Sequence, residues 1–565
     1  MHTQYARYCT WTLLIVAAVL ILASSVRDAA LVPFNHDESV SFSIFDWNPS
    51  ARFLANHHPL NTFLMRGASI LFGNSELALR LPNVLAHALY LVCTLLLMRR
   101  FRNLGLQIAG FVLLNIHPIV LNYFAVARGY GLALAFQVAS LYFLFRMYER
   151  LTEQSRSPAT GVLPAVAAMA AVFALSAALS VLIVLLFPGA RLTALVVASL
   201  LLALPALRSL ARYHGPEPYL YLALAAAALS VLSNLTFLNY FLPLLGLCVW
   251  VLLTDTARLR FGRDHPAVQV ALCLATGVFL MAALTEVVRL RRAGELYIGG
   301  QTSFMHDTVD GLIRYSLFAA VYSPRTAAAI AAIVVGAFAV ILVVAVRQFF
   351  CERPDWSFVA VVWILASAVA LALLQHHVLG NPYLDPRAAL YYIPLFCLLI
   401  VHAADKILQR LADRNWHTIA GFAFAASAIV AGAWTAYSGA LTTVYRWTQD
   451  NHNREVLEII ERDRTIHAPR RVVNLHSDRL LEPSLNFYRV TRKYTWLKPV
   501  PRLKRPSPDA PAPPITGEDA DYVYIYEHDL ADLEIDHVRL ASYPDIGTVL
   551  LRVCSGGCDG RQMTR

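Results

Sequence analysis

Residues 35–82 read NHDESVSFSIFDWNPSARFLANHHPLNTFLMRGASILFGNSELALRLP. Apolar sequence lies on either side, about Thr10 to Ser25 before and about Pro82 to Met98 after, so this polar stretch leaves one hydrophobic span and enters the next. Asp37 and Glu38 come soon after the first span. Asn56-His57-His58-Pro59 follows about twenty residues later, ahead of amphipathic sequence suited to lying along a bilayer surface. Ionisable groups this close to hydrocarbon are costly and usually functional. Two such clusters returned to one membrane face read as the halves of a single site.

The rest of the chain has the composition this reading needs. Of 565 residues, 58% are hydrophobic and 15% charged, with a mean hydropathy of +0.53, far too apolar for a soluble protein of this size. The sequence predicts an all-α polytopic membrane protein of about thirteen transmembrane helices, centred near residues 18, 90, 113, 138, 174, 199, 225, 245, 277, 336, 367, 396 and 428. Basic clusters at Arg99-Arg100-Arg102, Arg146-Arg150-Arg156, Arg208-Arg212, Arg258-Arg260-Arg263, Arg347-Arg353 and Lys406-Arg410-Arg414 fall in alternate loops. By the positive-inside bias those loops and the N-terminus are cytoplasmic, and residues 28–81 and the C-terminal region lie outside. The formal net charge of +10 is largely held in these loops and requires no nucleic-acid partner. No small-residue cleavage site follows the first span, so it reads as a retained helix.

Three further outer segments carry chemistry. Val120 to Gly131 (VLNYFAVARGYG) places Arg128 and Tyr130 at a turn, where the arginine is either an interfacial anchor or a ligand-facing cation. The loop from Val288 to Ser316 holds Arg289, Arg291 and Arg292 against the topological bias, which suits either a bound anion or anionic lipid. Gln375 to Arg387 brings Arg387 to a membrane entry two residues after Asp385, with which it could simply pair. Ser233-Asn234-Leu235-Thr236 matches a glycosylation sequon, but its place between two spans suits a satisfied helix end.

Residues 1–444 thus form the transmembrane module, and 445–565 a small external α/β domain. Within the latter, Asn453 to Arg464 has helical spacing, and Arg471–Leu475, Tyr522–Tyr526 and Thr548–Val553 read as strands, with a proline-rich linker over 498–514. Of eight cysteines, Cys554 and Cys558 stand apart in CSGGC, where an oxidising compartment permits a disulfide.

The external HDES, the ANHHPLNTFLMRGASILFGNSELALRLPNVLAHALYL segment, the Ala-Arg-Gly-Tyr turn and the late Pro-Arg entering a span with Tyr-Tyr-Ile-Pro together resemble the GT-C class of integral-membrane glycosyltransferases. The likeness is to its bacterial branch, similar to protein O-mannosyltransferases and aminoarabinose transferases of lipid A. It implies a sugar donor linked through phosphate to a polyprenol, and a lipid, glycan or protein acceptor at the outer face of the bacterial inner membrane. It also implies Asp37 as general base for the acceptor, with Glu38 as alternate or positioning partner. Cations must meet the departing phosphate, and Arg128, Arg289, Arg291, Arg292 and Arg387 are the candidates, with Tyr130 beside the first. His57 and His58 stand where relatives carry charged or metal-binding residues. The aminoarabinose branch has a lysine there before Pro-Pro, so this chain departs from the pattern, and a divalent metal at His58 is an optional cofactor. A flippase of lipid-linked sugars is the competing function, although the mid-membrane parts of the central spans hold almost no ionisable residue.

Overall fold

The computed structural model describes residues 2–153, 174–183, 197–199, 201, 215–254, 266–296, 299–316, 323–350, 355–411, 414–441, 448–467, 471–501, 520–533 and 535–554. The protein is an integral membrane protein built from helices, with a small mixed lobe near its C-terminal end. Helix α1 (His2–Leu31) is apolar almost throughout, and α2 (His36–Ser43) and α3 (Pro59–Phe72) are short helices in the polar stretch that follows. Then come α4 (Glu76–Met98), α5 (Leu104–Asn115), α6 (Pro118–Phe124) and α7 (Gly129–Glu153). The second half of the bundle contains α8 (Glu217–Ser233), α9 (Leu238–Thr254), α10 (Pro266–Arg292), α11 (Gly311–Ser316), α12 (Pro324–Phe349), α13 (Trp356–Leu379), α14 (Tyr392–Leu408) and α15 (Arg414–Leu441).

Among the described residues eight helices are long and apolar enough to cross a bilayer, or nine if α5 and α6, bent by 62° at their junction, count as one broken span. Shorter apolar helices, Ala174–Ile183, α8 and α14, fall at three more of the expected centres. Most of the span expected near residue 199, the basic clusters over 208–212 and 258–263, most of the proline-rich linker and Cys558 lie outside the described residues.

The largest core joins α4, α7, α8, α9, α13 and α14 through Tyr90, Leu134, Leu141, Leu224, Tyr240, Val361 and Leu398. Helix α12 instead exposes Ile333, Val340 and Val343, an apolar face that only lipid would cover. Polar contacts sort to the two ends of the bundle. Arg100 with Glu149 (2.6 Å) and Lys406 with Asp355 (2.8 Å) close one end. Glu38 with Arg80 (2.6 Å) and the bridge between Gly300 and Tyr383 close the other.

The lobe has helices α16 (Asn453–His467) and α17 (Glu482–Thr491) and strands β1 (Leu475–Ser477), β2 (Tyr522–Tyr526), β3 (His537–Tyr543) and β4 (Thr548–Val553) in the order β1-β2-β4-β3. Strands β1 and β2 run parallel, and β4 is antiparallel to both of its neighbours. The strand expected over 471–475 instead begins at Leu475, with Val473 making one isolated bridge to Leu497, and β3 was not foreseen. Its sequence, HVRLASY, is too polar to stand out before β4 supplies its partner. Tyr524, Leu550, Leu485 and Phe487 pack in one core with Phe34, Phe42, Met65 and Leu79 from the other end of the sequence. Cys554 is disulfide-bonded.

Candidate functional site

Helix α2 begins where the chain leaves α1, and it is capped by its own side chains. Asn35 accepts the Glu38 amide at 3.0 Å, and the Glu38 carboxylate accepts the Asn35 amide at 3.0 Å, a reciprocal capping box. That box turns Glu38 back toward the helix start, where it is fully buried. Arg80 meets its two oxygens at 2.7 and 2.6 Å, and the Ala127 amide donates to it as well. The remaining N–H groups of Arg80 go to the carbonyls of Ala29, Val32 and Pro33. Glu38, the alternate acid of the sequence reading, is thereby held in a structural lock joining the end of α1, α2, α4 and the turn before α7.

Asp37 lies about 100° further round the helix and faces a different partner. Its Oδ2 is 3.6 Å from Nη2 of Arg128, and its Oδ1 accepts from Asn56 at 3.0 Å. Arg128 is completely buried. It donates to the Asp37 carbonyl (3.2 Å), Ser41 Oγ (3.3 Å), the Asn56 carbonyl (3.3 Å) and the Asn56 side-chain oxygen. The turn that presents it is clamped on both sides, since Ala127 donates its amide to Glu38 and gives its carbonyl to Asn61 (2.8 Å), which Asn83 supports at 2.9 Å. Gly129 comes next because nothing larger fits. A Cβ there would lie 1.8 Å from the Ser233 carbonyl and 2.8 Å from the His58 side chain. Asn234, from the sequon, ends α8 and accepts from the amide and hydroxyl of Thr236, while its own side-chain nitrogen is buried without a hydrogen bond among the described residues.

Burial alone would raise the pKa of Asp37, but Arg128, then His36 and Arg387, outweigh it and hold the carboxyl at about 2. Arg387 therefore belongs to this cluster. It gives Nε to Asp385 at 2.9 Å, and its two terminal nitrogens make no hydrogen bond among the described residues. Asp385 is itself fixed by the Ala388 amide, and Tyr383, two residues earlier, pairs with Gly300. Thr308 binds the Leu384 carbonyl at 2.8 Å. The segment around 300–308 thus braces the arginine's turn from outside.

His58 caps α3 in position but makes no side-chain cap. It is buried, packs edge-on against Tyr130 with ring centroids 5.0 Å apart, and neither ring nitrogen makes a hydrogen bond of normal geometry. Burial, then Arg128 and His57, push its pKa well below the ordinary histidine value, against the pull of Asp37 and the Ser233 backbone. Tyr130 also lies under the Arg128 guanidinium at 5.9 Å. Burial likewise takes His57 down to about 4, so it is neutral near pH 7, with Nδ1–H donating to the Arg52 carbonyl at 3.0 Å. Its Nε2 is left as a buried acceptor beside a crevice lined by Pro59, Val231, Phe279 and Glu286.

The remaining three arginines are differently disposed. Arg289 is bound to Glu286 (2.5 Å) and the Phe53 carbonyl (3.1 Å), and Arg291 to the Leu379 carbonyl (2.6 Å), while Arg292 is exposed. Arg289 and Arg291 tie α10 to the 53 and 379 turns rather than joining Asp37. No group of three His, Cys, Asp or Glu side chains among the described residues could hold a metal ion. Sequence reading missed the Arg80 partner of Glu38, for which a lone arginine in the apolar run ELALRLP was the available signal. It also missed Asp450, which lies near both acids of α2.

No family model matches this chain, and no curated protein does. Among solved structures the fold is similar to ArnT from Cupriavidus metallidurans in the apo state, at a TM-score of 0.48 and 12% identity over 97% of this chain and 98% of that one. It is similar to the same protein bound to undecaprenyl phosphate at 0.47, with 12% identity over 96% and 97%. Archaeal oligosaccharyltransferase AglB from Archaeoglobus fulgidus, in complex with an inhibitory peptide and a dolichol-phosphate, follows at 0.40 and 12% over 93% and 70%. Likenesses at these levels carry no conclusion about the chemistry of this chain, which rests on its own residues.

Proposed function

We propose that this protein is a membrane glycosyltransferase that moves a sugar from a polyprenyl-phosphate-linked donor to a lipid, glycan or protein acceptor at the outer face of the bacterial inner membrane. The observation that carries the reading is an ionised, buried Asp37 that is paired with Arg128 and feels the charge of Arg387, whose terminal nitrogens make no hydrogen bond among the described residues. The resemblance of the 35–82 stretch to GT-C glycosyltransferases supports the same chemistry.

In this reading the acceptor X–H loses its proton to the Asp37 carboxylate as X bonds to the anomeric carbon. The bond from that carbon to the phosphate oxygen breaks, its electron pair goes to the lipid phosphate, and Arg387 meets the growing charge. A carboxylate held at about 2 is ionised but weakly basic. A donor phosphate beside Arg387 adds negative charge to the cluster, offsets the cations, and raises the basicity of Asp37 once the donor is bound. Arg128 keeps the carboxylate aimed, and neutral His57 and His58 add no competing charge.

The test is mass spectrometry of envelope glycolipids and glycans from cells lacking the protein, complemented with wild type or Asp37→Asn. A sugar that vanishes on deletion, returns with wild type and stays at least about 100-fold down with Asp37→Asn supports the reading. Equal return with both versions removes Asp37 as the base. A deletion that changes no glycan removes the transferase.

A further inference from the structure

The start of α2 is held by the far end of the chain as well as by its own cap. The His36 amide, one of the orphan donors of the first turn, is accepted by Oδ2 of Asp450 at 2.8 Å across 414 residues. Asp450 is buried, and Asn453 at the head of α16 fixes its other oxygen at 2.9 Å. Immediately before His36, the Phe34 amide donates to Tyr488 Oη at 2.8 Å, and the Phe34 carbonyl accepts from Ser484 at 2.7 Å, both from α17. The His36 ring reaches the Leu480 carbonyl at 2.8 Å. Residues 34–36 are thus bonded to four residues from the C-terminal part of the chain, and Asp37 is the next residue.

We propose that Asp450 is a positioning residue that, with Tyr488 and Ser484, sets the rotation of the first turn of α2 and so the line from Asp37 to Arg128. The capping box alone fixes α2 relative to Asn35 but not relative to the rest of the protein. The Glu38–Arg80 pair ties that turn to α4 on one side, and the bond from His36 to Asp450 adds a second reference on the side of the lobe. Burial first, together with the nearby Asp37 and Glu38, raises the Asp450 pKa well above the ordinary carboxylate value, against the His36 and Asn453 bonds. A neutral acceptor is what the geometry needs, because a third full negative charge beside Asp37 would oppose its ionisation. An asparagine at 450 has the shape of that neutral acid, keeps one carbonyl oxygen for the His36 amide, and turns its NH2 toward Asn453, whose side-chain oxygen is otherwise without a partner among the described residues and accepts it once that amide rotates. A leucine there keeps bulk and removes the acceptor. Misplacing a reacting group by about 1 Å can cost on the order of 100-fold in rate, so a small rotation of α2 is enough to matter.

The inference rests on the transferase reading only for its kinetic arm. Hydrogen exchange by mass spectrometry on the full-length protein in lipid nanodiscs should show the amides of 34–43 exchanging about 5-fold faster or more in Asp450→Leu, and near wild type in Asp450→Asn. With a polyprenyl-phosphate sugar as donor, Asp450→Leu should lower kcat about 10-fold or more while KM for the donor moves less than about 3-fold, and Asp450→Asn should restore kcat. Unchanged exchange in Asp450→Leu overturns the proposal, as does Asp450→Asn behaving like Asp450→Leu in either measurement. If Asp450→Leu does not fold, Tyr488→Phe serves instead, since it removes the acceptor of the Phe34 amide, and unchanged exchange there is equally fatal. Absence of turnover in the wild type would defeat the transferase reading while the exchange data still judged Asp450.

Discussion

Adjacent carboxylates in one helical turn meet opposite surroundings here, and the difference decides what each can do. Glu38 has no exposure and a dedicated arginine. Breaking that pair with Arg80→Gln leaves a buried charge without its cation and three carbonyls without donors. The expected loss is roughly 3 to 5 kcal/mol of stability, to be read as a fall in the thermal midpoint of the purified protein. Asp37 titrates at about 2 in the free protein. A depressed carboxylate stays ionised as pH falls until that value is reached, so the acid limb of kcat/KM should not show an ordinary carboxylate break near pH 4. A break at pH 4 to 5 that shifts in Asp37→Glu would assign the limb to Asp37 and contradict the electrostatics. The acid pair, the Arg128 turn and Arg387 were legible in the sequence because charge beside hydrocarbon is conspicuous. Arg289 and Arg291 were equally conspicuous yet bind Glu286 and a carbonyl, since a basic residue looks the same whether its partner is a ligand or its own chain.

Among the elements, the turn from α6 into α7 depends most sharply on one small residue. Gly129 lets α7 start against the end of α8 and the His58 side chain. Gly129→Ala should cost roughly 1 to 3 kcal/mol through overpacking and reduce transfer at least about 10-fold, because Arg128 and Tyr130 flank it. Transfer assays beside melting curves check this. Normal turnover with an unchanged midpoint would mean the contact relaxes freely. Spans were readable from length and apolarity alone, whereas the 62° bend between α5 and α6 was hidden in a continuous apolar run whose His117-Pro118 step breaks the helix ladder.

For the whole molecule, the lobe and the membrane bundle share a core, with Phe34 and Phe42 packed against Phe487. A chain stopped at residue 444 would expose that aromatic cluster and strip residues 34–36 of their partners. We expect it to insert but not to run as a single monodisperse species by size-exclusion chromatography in detergent. A monodisperse truncated protein with wild-type exchange across 34–43 would show that the bundle holds its own acid turn. No local pattern announced this union, because periodicity reports a residue's neighbours within a few turns and says nothing of one 414 positions away.

That separation also sets an order of events during biosynthesis. The ribosome delivers Asp37 early and Asp450, Ser484 and Tyr488 more than 400 residues later, so the acid turn must wait, half-made, while every intervening span enters the bilayer. A polypeptide released early would be embedded and yet inert, and newly made protein would gain competence only after its final strands had folded.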